Sequence, residues 1–574
     1  MRIRKVSIDR FRGIKHLDWT LDSRFVCLIG PGDSTKTTIL DAIELALSSR
    51  WSIPFADVDF YMADYSEPLE IRVTVAEPPA DLLADDRFGL SLRGWDVKRG
   101  IVDDPDDGCE PVLTVRLRVD SSLDPVWTVI KYDADEGKRI SAKDRERLGV
   151  YRLGVDVDRH LSWGKGSALS RLTESLPSAQ SYLADAARQL RDGLQKQSLP
   201  QLAEAAEQGR RAAVELGLGN AQKFAPGLDT RQVSLGMAAL TLHEGTVPVS
   251  CRGTGGRRLA ALGLQKSGVP EGAILLIDEI EHGLEPFRIR RLLQAMKNSG
   301  NTTPSGQVLT TTHSTIVVVE LDASALHIVR SASGQTKVNA ITPIEDALQA
   351  LVRSASEALF ARRVIVCEGK TELGVCRALS RYWAKLHDGE PLSYRGVVCA
   401  VGGEGGGTEA PSNAMRLRSL GYEVAYFGDS DRPLSPGEQK LTEVGIRVIL
   451  WEGAVSIEER IACDLPLPQL QSLVDLAAQH FGEQSVTDKI ASHLQGSQFT
   501  SAVIQDWLQH YTEDQIRAAI GRAAKSASAN SKAWFKRIDI GEELGEIVVS
   551  ALSEIRERDL GKKIADLEGW AYDE

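Results

Sequence analysis

Several features that would classify this 574-residue sequence at once are missing from it. Its seven cysteines include no C-x-x-C pair, which argues against a zinc or disulfide framework and favours a reducing compartment. No apolar run approaches the roughly 18 residues of a membrane-spanning helix, and residues 1–8 lack the apolar stretch of a signal peptide. The net charge of −12 excludes attraction of nucleic acid by the molecule as a whole, so DNA binding would need local basic patches. We therefore expect a cytoplasmic protein.

A glycine-bearing loop between an apolar strand and a helix is typical of nucleotide-binding proteins. The strand is predicted at 25–29, the loop at 30–38, and Ile39, Ile43 and Leu47 mark the helix. Backbone N–H groups at such a helix N-terminus cradle phosphates. The candidate nucleotide-binding residues of the loop are Gly30, Gly32, Ser34, Lys36, Thr37 and Thr38.

Three positions in this loop determine its chemistry. Lys36 would reach the β and γ phosphates of ATP, and the Thr37 hydroxyl would ligate Mg²⁺. Thr35 stands where such loops carry glycine, and a β-branched residue disfavours positive φ. We therefore expect altered loop geometry or altered nucleotide affinity.

A second apolar strand, at 273–277, ends in Asp278 and Glu279, which is the Walker B form. Asp278 would support the Mg²⁺ ion, and Glu279 would polarise the attacking water. A third strand, from 307, ends at His313. Roughly 240 residues separate Lys36 from Asp278, so a large insertion must divide the nucleotide-binding core.

The order of these segments resembles the ATPase heads of the ABC and SMC class, in which two heads sandwich ATP. The resemblance implies that His313 contacts the γ-phosphate and that the glycine-rich segment, Thr254, Gly255 and Gly256, caps the nucleotide of a second head. Asp59 lies where such heads carry a γ-phosphate-sensing glutamine, although a solvated turn acid is an equal alternative. Residues 166–220 predict an inserted helical arm, either a dimerisation element or a packing element.

Two further apolar runs, at 364–367 and 424–427, each stop at acidic residues. This pattern predicts buried parallel strands that deliver carboxylates to one edge of a sheet. The acidic residues are Glu368, Glu372, Asp429 and Asp431. Carboxylates gathered at one edge would repel one another unless divalent cations lay between them, which predicts a magnesium or manganese site.

The combination Glu368-Gly369-Lys370-Thr371-Glu372 with Asp429-Ser430-Asp431 resembles the Toprim module, in the nuclease variant of the overcoming-lysogenization-defect (OLD) family. The resemblance implies two divalent metals that activate water and stabilise the leaving 3′ oxygen. It also implies a Ser-x-x-Glu element that maps Glu459 as a metal ligand, with Glu458 as the close alternative. A late lysine in the family neutralises charge at the scissile phosphate, and Lys536 is the candidate here.

The sequence as a whole therefore predicts an α/β protein of two parts: an ABC/SMC-like head with an inserted helical arm, and a Toprim domain with a helical C-terminal region. The predicted boundaries are 1–345 for the head, 346–362 for a linker helix, 363–465 for the Toprim domain and 466–574 for the helical remainder.

The function implied by the OLD resemblance is an ATP-regulated, metal-dependent DNA endonuclease or nickase in anti-phage defence. The expected cofactors are ATP, with Mg²⁺ or Mn²⁺ at the ATPase site, and two divalent metals at the Toprim site. The expected partners are DNA, a second copy in a homodimer or higher oligomer, and a helicase-like or other defence-system protein. An RNA nuclease and an ATP-switched sensor or scaffold remain alternatives.

Overall fold

The structure is a computed structural model. It describes residues 1–103, 108–133, 136–154, 156–164, 167–173, 182–186, 188–189, 193, 200–216, 222–224, 240–270, 272–297, 306–341, 346–403, 409–494, 501–525 and 533–573. Over these residues the chain builds a head around one large sheet and a second unit around a smaller one.

The strands are numbered in chain order. They are β1 Arg2–Phe11, β2 Ile14–Thr20, β3 Phe25–Ile29, β4 Leu69–Ala76, β5 Arg93–Asp96, β6 Gly100–Val102, β7 Glu110–Val119, β8 Val126–Ile130, β9 Lys138–Arg139, β10 Val150–Leu153, β11 His243–Glu244, β12 Val247–Pro248, β13 Ile274–Ile277, β14 Gln307–Thr311, β15 Leu326–Ala332, β16 Gln335–Ala340, β17 Arg363–Cys367, β18 Val397–Val401, β19 Glu423–Gly428 and β20 Arg447–Leu450.

The α-helices are named by their bounds. They are Lys36–Leu47, Ala142–Arg147, Val157–His160, Ala168–Leu172, Pro200–Glu215, Thr254–Ser267, Pro286–Lys297, Thr315–Glu320, Asp346–Ser354, Lys370–Leu386, Glu409–Ser419, Glu438–Glu443, Ile457–Asp464, Leu467–Phe481, Glu483–Ala491, Ile504–Trp507, Glu513–Lys525, Ile538–Ala551 and Asp559–Tyr572.

The parallel part of the 14-stranded head sheet confirms the predicted strands of the nucleotide-binding core. The apolar strand β3 lies between β14 and β15, and β13 lies on the far side of β14, with all pairings parallel. Because carboxyl ends of parallel strands meet at one edge, the loop after β3, the Walker B acids after β13 and His313 after β14 share that edge.

The predicted insertion between Lys36 and Asp278 extends this sheet. Within the insertion, β4 pairs antiparallel with β1, β7 with β4, and β8 with β7. The order across the sheet is β10-β13-β14-β3-β15-β16-β2-β1-β4-β7-β5-β6, and β8 and β9 continue from β7.

The second unit has a four-stranded, fully parallel sheet in the order β18-β17-β19-β20. The runs at 364–367 and 424–427 are therefore neighbouring parallel strands, as the sequence predicts. Helices Lys370–Leu386 and Ile538–Ala551 pack against each other beside this sheet. The predicted linker is helix Asp346–Ser354 followed by a 3₁₀ turn, Ser356–Phe360.

One cluster of buried apolar side chains is continuous from the head into the second unit. It includes Ile277 and Val317 of the head, Leu351 of the linker, and Val364 and Val424 of the second sheet. Burial of such side chains stabilises by about 2 kcal/mol each, so the linker joins the two parts by a shared core.

The predicted helical arm is partly described. Helix Pro200–Glu215 lies in the predicted arm and has no buried residue in this chain, and residues 194–199 lie outside the described residues. No disulfide joins the seven cysteines, all of which lie in described ranges. None of the described helices has the length and apolar character needed to cross a bilayer.

Candidate functional sites

Gly30 and Thr35 both have a positive φ in the loop after β3. A Cβ on Gly30, whose φ is +141°, would lie 2.4 Å from the Val329 carbonyl oxygen, so only glycine fits there. Thr35 itself adopts φ +68°, and its hydroxyl donates to the Ser34 carbonyl at 2.6 Å. Thr35 therefore carries local strain, because a β-branched residue occupies the left-handed region.

Lys36 points into this loop. Its Nζ donates to the carbonyl oxygens of Gly30 at 3.1 Å and Pro31 at 2.7 Å and to Ser34 Oγ at 3.2 Å. Burial lowers the pKa of Lys36 to about 8, although Asp33 and Asp278 oppose the shift. A buried ammonium that contacts neutral oxygens is stabilised when an anionic partner binds beside it, and a phosphate is such a partner.

Asp278 joins the Walker B strand to the phosphate-binding loop. Its Oδ1 accepts hydrogen bonds from Thr37 Oγ1 at 3.2 Å and from Thr311 Oγ1 at 2.5 Å. Arg152, from β10, contacts the other oxygen at 3.2 Å. A hydroxyl and a carboxylate oxygen side by side are donors that suit Mg²⁺, so Thr37 and Asp278 fit the predicted metal of the ATPase site.

Glu281 follows the Walker B acids and is not among the residues predicted from the sequence. One of its carboxylate oxygens accepts the backbone N–H of His313 at 2.6 Å, and the other accepts the Thr312 hydroxyl at 2.7 Å. Glu279 instead takes a positive φ of 44°, and its carboxylate lies 3.2 Å from His282 Nδ1. The carboxylate of Glu281 therefore fixes the backbone on which His313 stands.

Four other predicted head residues lie away from these contacts. Asp59 accepts from Arg12 Nε at 2.9 Å and from the Ala56 N–H at 3.1 Å, contacts that favour the turn-acid alternative. Thr254, Gly255 and Gly256 start helix Thr254–Ser267 beside the turn that follows β13. A Cβ on Gly255 would lie 2.4 Å from the Gly283 carbonyl oxygen, which makes glycine necessary for that packing.

A cavity of about 390 Å³ lies at the carboxyl edge of the second sheet, and we call it the carboxylate cavity. Its lining is Glu368, Gly369, Lys370, Thr371, Glu372, Val401, Gly403, Asp429, Glu458 and Lys536. The predicted residues Glu368, Glu372, Asp429 and Lys536 thus meet although they come from three separate parts of the chain. Lys536 is placed beside helix Lys370–Leu386 because the Thr371 hydroxyl donates to the adjacent Phe535 carbonyl at 3.0 Å.

Glu368 is held in one orientation at the end of β17. Its Oε2 accepts from Tyr426 Oη at 3.0 Å and from the Asp429 N–H at 2.8 Å. A Cβ on Gly428 would lie 2.8 Å from this oxygen and 2.6 Å from the tyrosine hydroxyl. Glycine at 428 therefore allows the two strand ends to bring their acids together.

The carboxylates of the cavity repel one another. Burial, followed by the charge of Glu458, raises the pKa of Glu372 to about 8. Burial, followed by the charges of Glu372 and Glu458, raises the pKa of Asp429 to about 9. Burial also raises the pKa of Glu458. Such a cluster is stabilised in its ionised form only by cations.

The first turn of helix Ile457–Asp464 separates Glu458 from Glu459. The carboxylate of Glu459 accepts the Ser456 N–H at 2.9 Å, and the Ser456 side chain accepts the Glu459 N–H, so the two residues form a capping box. Successive helical side chains point about 100° apart, and Glu458 is the one that lines the cavity. The geometry thus favours Glu458, the alternative, over Glu459.

Asp431 and Glu459 share a different partner. Lys525 Nζ lies 2.9 Å from Asp431 Oδ2 and 3.1 Å from Glu459 Oε2. The pKa of Glu459 is lowered by its hydrogen bonds to Ser456 and Lys525, which outweigh its burial. The structure therefore divides the predicted metal ligands into Glu368, Glu372 and Asp429 in the cavity and Asp431 and Glu459 on Lys525.

The donors of the cavity fit a hard divalent cation. Among the described residues, no three Asp, Glu, His or Cys side chains converge into a preformed metal cage. Mg²⁺ does not require one, because it is usually held by one or two carboxylates together with waters and substrate phosphates. Glu368, Glu372, Asp429 and Glu458 offer oxygen ligands of that kind.

Comparisons with known proteins concern mainly the head. The family described as "AAA domain, putative AbiEii toxin, Type IV TA system" matches residues 25–320, more than half of the chain. None of the curated proteins compared with the sequence matches it.

Solved structures of SMC heads are similar at low identity. An SMC head bound to the C-winged helix domain of ScpA is 15% identical, with 59% of this chain and 97% of that chain covered and a TM-score of 0.34. The SMC head domain from Thermotoga maritima is 14% identical, with coverages of 60% and 100% and a TM-score of 0.28. The SMC head with an extended coiled coil from Pyrococcus furiosus, bound to the C-terminal domain of ScpA, is 15% identical. The match covers 61% of this chain and 98% of that chain, with a TM-score of 0.34. TM-scores of this size support no conclusion about function or partners.

Proposed function

This chain belongs to the AAA domain family of the AbiEii type, and from that premise we propose that its ATPase head controls a metal-dependent nuclease in the carboxylate cavity. The single observation that carries the nuclease proposal is this cavity: four carboxylates and two lysines meet at the carboxyl edge of a parallel sheet. The meeting of Glu368, Glu372, Asp429 and Lys536 in this cavity supports the proposal of a Toprim nuclease of the OLD type, which the sequence resembles.

The residues of the cavity would have different roles in the cleavage of a phosphodiester. Glu368, Glu372, Asp429 and Glu458 would hold Mg²⁺ or Mn²⁺, and such an ion, when bound, lowers the pKa of water and screens phosphate charge. Tyr426 and Gly428 keep Glu368 in place. Lys536 is exposed at the cavity wall, where its ammonium can neutralise charge on the scissile phosphate.

We propose DNA as the substrate and anti-phage defence as the setting, and the family description, which names a putative AbiEii toxin and a type IV TA system, supports a toxin-related role. Because the net charge is −12, binding depends on local cations such as Lys370 and Lys536 at the cavity. ATP bound by the head would regulate cutting. A homodimer, with the segment Thr254–Gly256 of one head capping the nucleotide of the other, and a helicase-like partner remain part of the proposal.

Cleavage of supercoiled plasmid tests this function. Purified protein is incubated with Mg²⁺ or Mn²⁺, with and without ATP, beside the variants Glu368→Gln and Lys36→Ala. Loss of one cavity carboxylate should lower the cleavage rate by about 100-fold or more, because the bound metal loses a ligand that the structure holds rigidly. Lys36→Ala should abolish ATP hydrolysis and any effect of ATP on cleavage.

A matched control is Glu443→Gln, an exposed glutamate on helix Glu438–Glu443 of the same unit. It should cleave like the wild type. Nuclease action on DNA is refuted if the wild type leaves plasmid intact with either metal in every nucleotide state. Cleavage of single-stranded RNA in the same assay would then identify RNA as the substrate.

A further inference from the structure

We propose that Phe360 is the positioning residue through which nucleotide bound in the head acts on the carboxylate cavity. The inference rests on the proposed function, because it names the route by which ATP regulates the cavity. Phe360 is the last residue of the 3₁₀ turn Ser356–Phe360 and comes three positions before β17, the strand that ends at Glu368.

On the head side, Phe360 meets the residue predicted to contact the γ-phosphate. The imidazole of His313 stacks on the Phe360 ring, with centroids 6.3 Å apart and planes inclined by 25°. One carboxylate oxygen of Glu281 accepts the backbone N–H of His313, and the other accepts the hydroxyl of the preceding Thr312. A shift of His313 toward a phosphate would therefore first displace the Phe360 ring, which stacks on it.

A second contact fixes the other side of the same turn. Arg330, in the head strand β15, donates to the carbonyl oxygens of Ala361 and Arg362, each at 3.1 Å. Its guanidinium lies 3.8 Å from the ring centre of Tyr422, and the Tyr422 hydroxyl donates to the Leu359 carbonyl at 2.7 Å. The turn is thus held between the head and the second unit, with little freedom to absorb a displacement.

From this turn the displacement has a short path to the cavity. Strand β17 is buried over Val364–Cys367 and paired on both sides, by β18 and β19, so it moves as a stiff element. Its next residue, Glu368, holds Asp429 through the Asp429 N–H. Packed interfaces shift between discrete arrangements, so a small motion at His313 can change the geometry of both acids.

Hydrogen–deuterium exchange with mass spectrometry tests the route without relying on cleavage. The wild type, Phe360→Leu and Tyr394→Leu are compared with and without adenosine 5′-(β,γ-imido)triphosphate and Mg²⁺. Leucine keeps most of the bulk of Phe360 and removes the ring stack. Tyr394 is an exposed aromatic residue of the second unit and serves as the matched control.

Nucleotide should change the exchange rate of the peptide spanning 361–368 by about fivefold or more in the wild type and in Tyr394→Leu, the lower range of typical coupling energies. In Phe360→Leu the change at 361–368 should disappear, while the change at the loop 30–38 remains, which shows that nucleotide still binds. In the cleavage assay, the ratio of rates with and without ATP should fall toward one in Phe360→Leu.

Two results would overturn the inference: an unchanged response of 361–368 in Phe360→Leu, or no response of 361–368 in the wild type. Failure of the proposed function looks different. If the wild type cleaves no nucleic acid but the exchange response exists and requires Phe360, the route stands and the nuclease assignment falls.

Discussion

At the scale of single residues, the cavity depends on which of two adjacent glutamates points inward. Glu458 lines the carboxylate cavity, and Glu459 completes a capping box and pairs with Lys525. Both lie in the first turn of one helix, and a sequence does not reveal which face of that turn is covered. Ser456, the residue that caps the helix, determines which glutamate lines the cavity, because its backbone N–H donates to the Glu459 carboxylate.

Changing each of the two glutamates to glutamine should therefore lower the rate of plasmid cleavage by different factors. Glu458→Gln removes a charged oxygen donor from the cavity and should lower plasmid cleavage by about 100-fold. Glu459→Gln keeps a side chain that can complete the capping box, so cleavage should fall by less than about tenfold, as for a partly exposed ion pair. Cleavage rates at saturating Mn²⁺ decide this, and equal losses in both variants would contradict the placement of Glu458.

At the scale of secondary-structure elements, two helices set the distance between Lys536 and the acids. Helices Lys370–Leu386 and Ile538–Ala551 cross where Gly374 meets Gly541, and a Cβ on Gly374 would lie 2.5 Å from the Gly541 carbonyl carbon. Glu372 lies just before this crossing on one helix, and Lys536 precedes the other. Close approach of the two backbones thus brings an acid and a cation to the same cavity.

Gly374→Ala should destabilise the second unit by about 2 kcal/mol, because the added methyl forces the helices apart. The change should also lower the cleavage rate, since Lys536 moves away from the acids. Gly569→Ala is the control, because nothing lies within 4 Å of its added Cβ, and alanine there should stabilise by about 0.5 kcal/mol. Urea unfolding followed by circular dichroism measures both, and a stable Gly374→Ala protein would contradict the packing.

Strand β15 carries His327, a buried histidine whose ring nitrogens have no hydrogen-bond partner among the residues that the structure describes. Burial lowers its pKa from 6.5 to about 4. The unfolded chain therefore binds a proton between these pH values and the folded chain does not. Stability is complete above pH 6.5 and is lost as the pH falls, by about 3 kcal/mol in all.

His327→Phe should remove this loss, since phenylalanine fills the site beside Trp19 and does not titrate. Unfolding free energies at pH 7 and pH 4.5 measure the effect. The difference between wild type and variant should change in favour of the variant by about 2 kcal/mol at the lower pH. A difference that is constant with pH would mean that His327 is protonated in the folded protein.

Many residues of the candidate sites can be predicted from the sequence, and there is a physical reason why the remaining contacts cannot. Abrupt ends of apolar runs predict where strands deliver Lys36, Asp278, Glu368 and Asp429, because strand ends and sheet edges are local properties. The partners of Glu281 and the stack of Phe360 on His313 depend on packing between segments far apart in the chain. Thr35 shows the converse case, because the fold imposes a positive φ that its side chain resists.

At the scale of the whole molecule, the chain has a net charge of −12, and part of its acid lies in the carboxylate cavity, where four carboxylates face two lysines. The chain carries 80 acidic and 68 basic residues, yet the pKa of Glu372 rises to about 8 and that of Asp429 to about 9. For acids whose pKa is raised by folding, the stabilisation is present at low pH and is lost as the pH rises through these values. A bound divalent cation reverses that loss.

Mn²⁺ should therefore raise the melting temperature more at pH 8.5 than at pH 6.5, since fewer protons must be displaced. Differential scanning fluorimetry of Lys36→Ala protein, without nucleotide, keeps the ATPase site out of the measurement. Glu368→Gln in the same background should reduce the shift at pH 8.5 to less than half. A metal-induced shift that does not vary with pH would exclude binding by these acids.

The core that runs from Ile277 through Leu351 to Val364 has a consequence for the protein inside a cell. A change that unpacks the linker removes buried contacts from both parts at once, so quality-control proteases would act on the whole chain. A polar substitution at Leu351 should therefore lower the abundance of the whole chain, and with it ATP hydrolysis and the proposed cleavage together. Loss of both activities at reduced abundance would point to the shared core, whereas loss of activity at normal abundance would point to one of the sites.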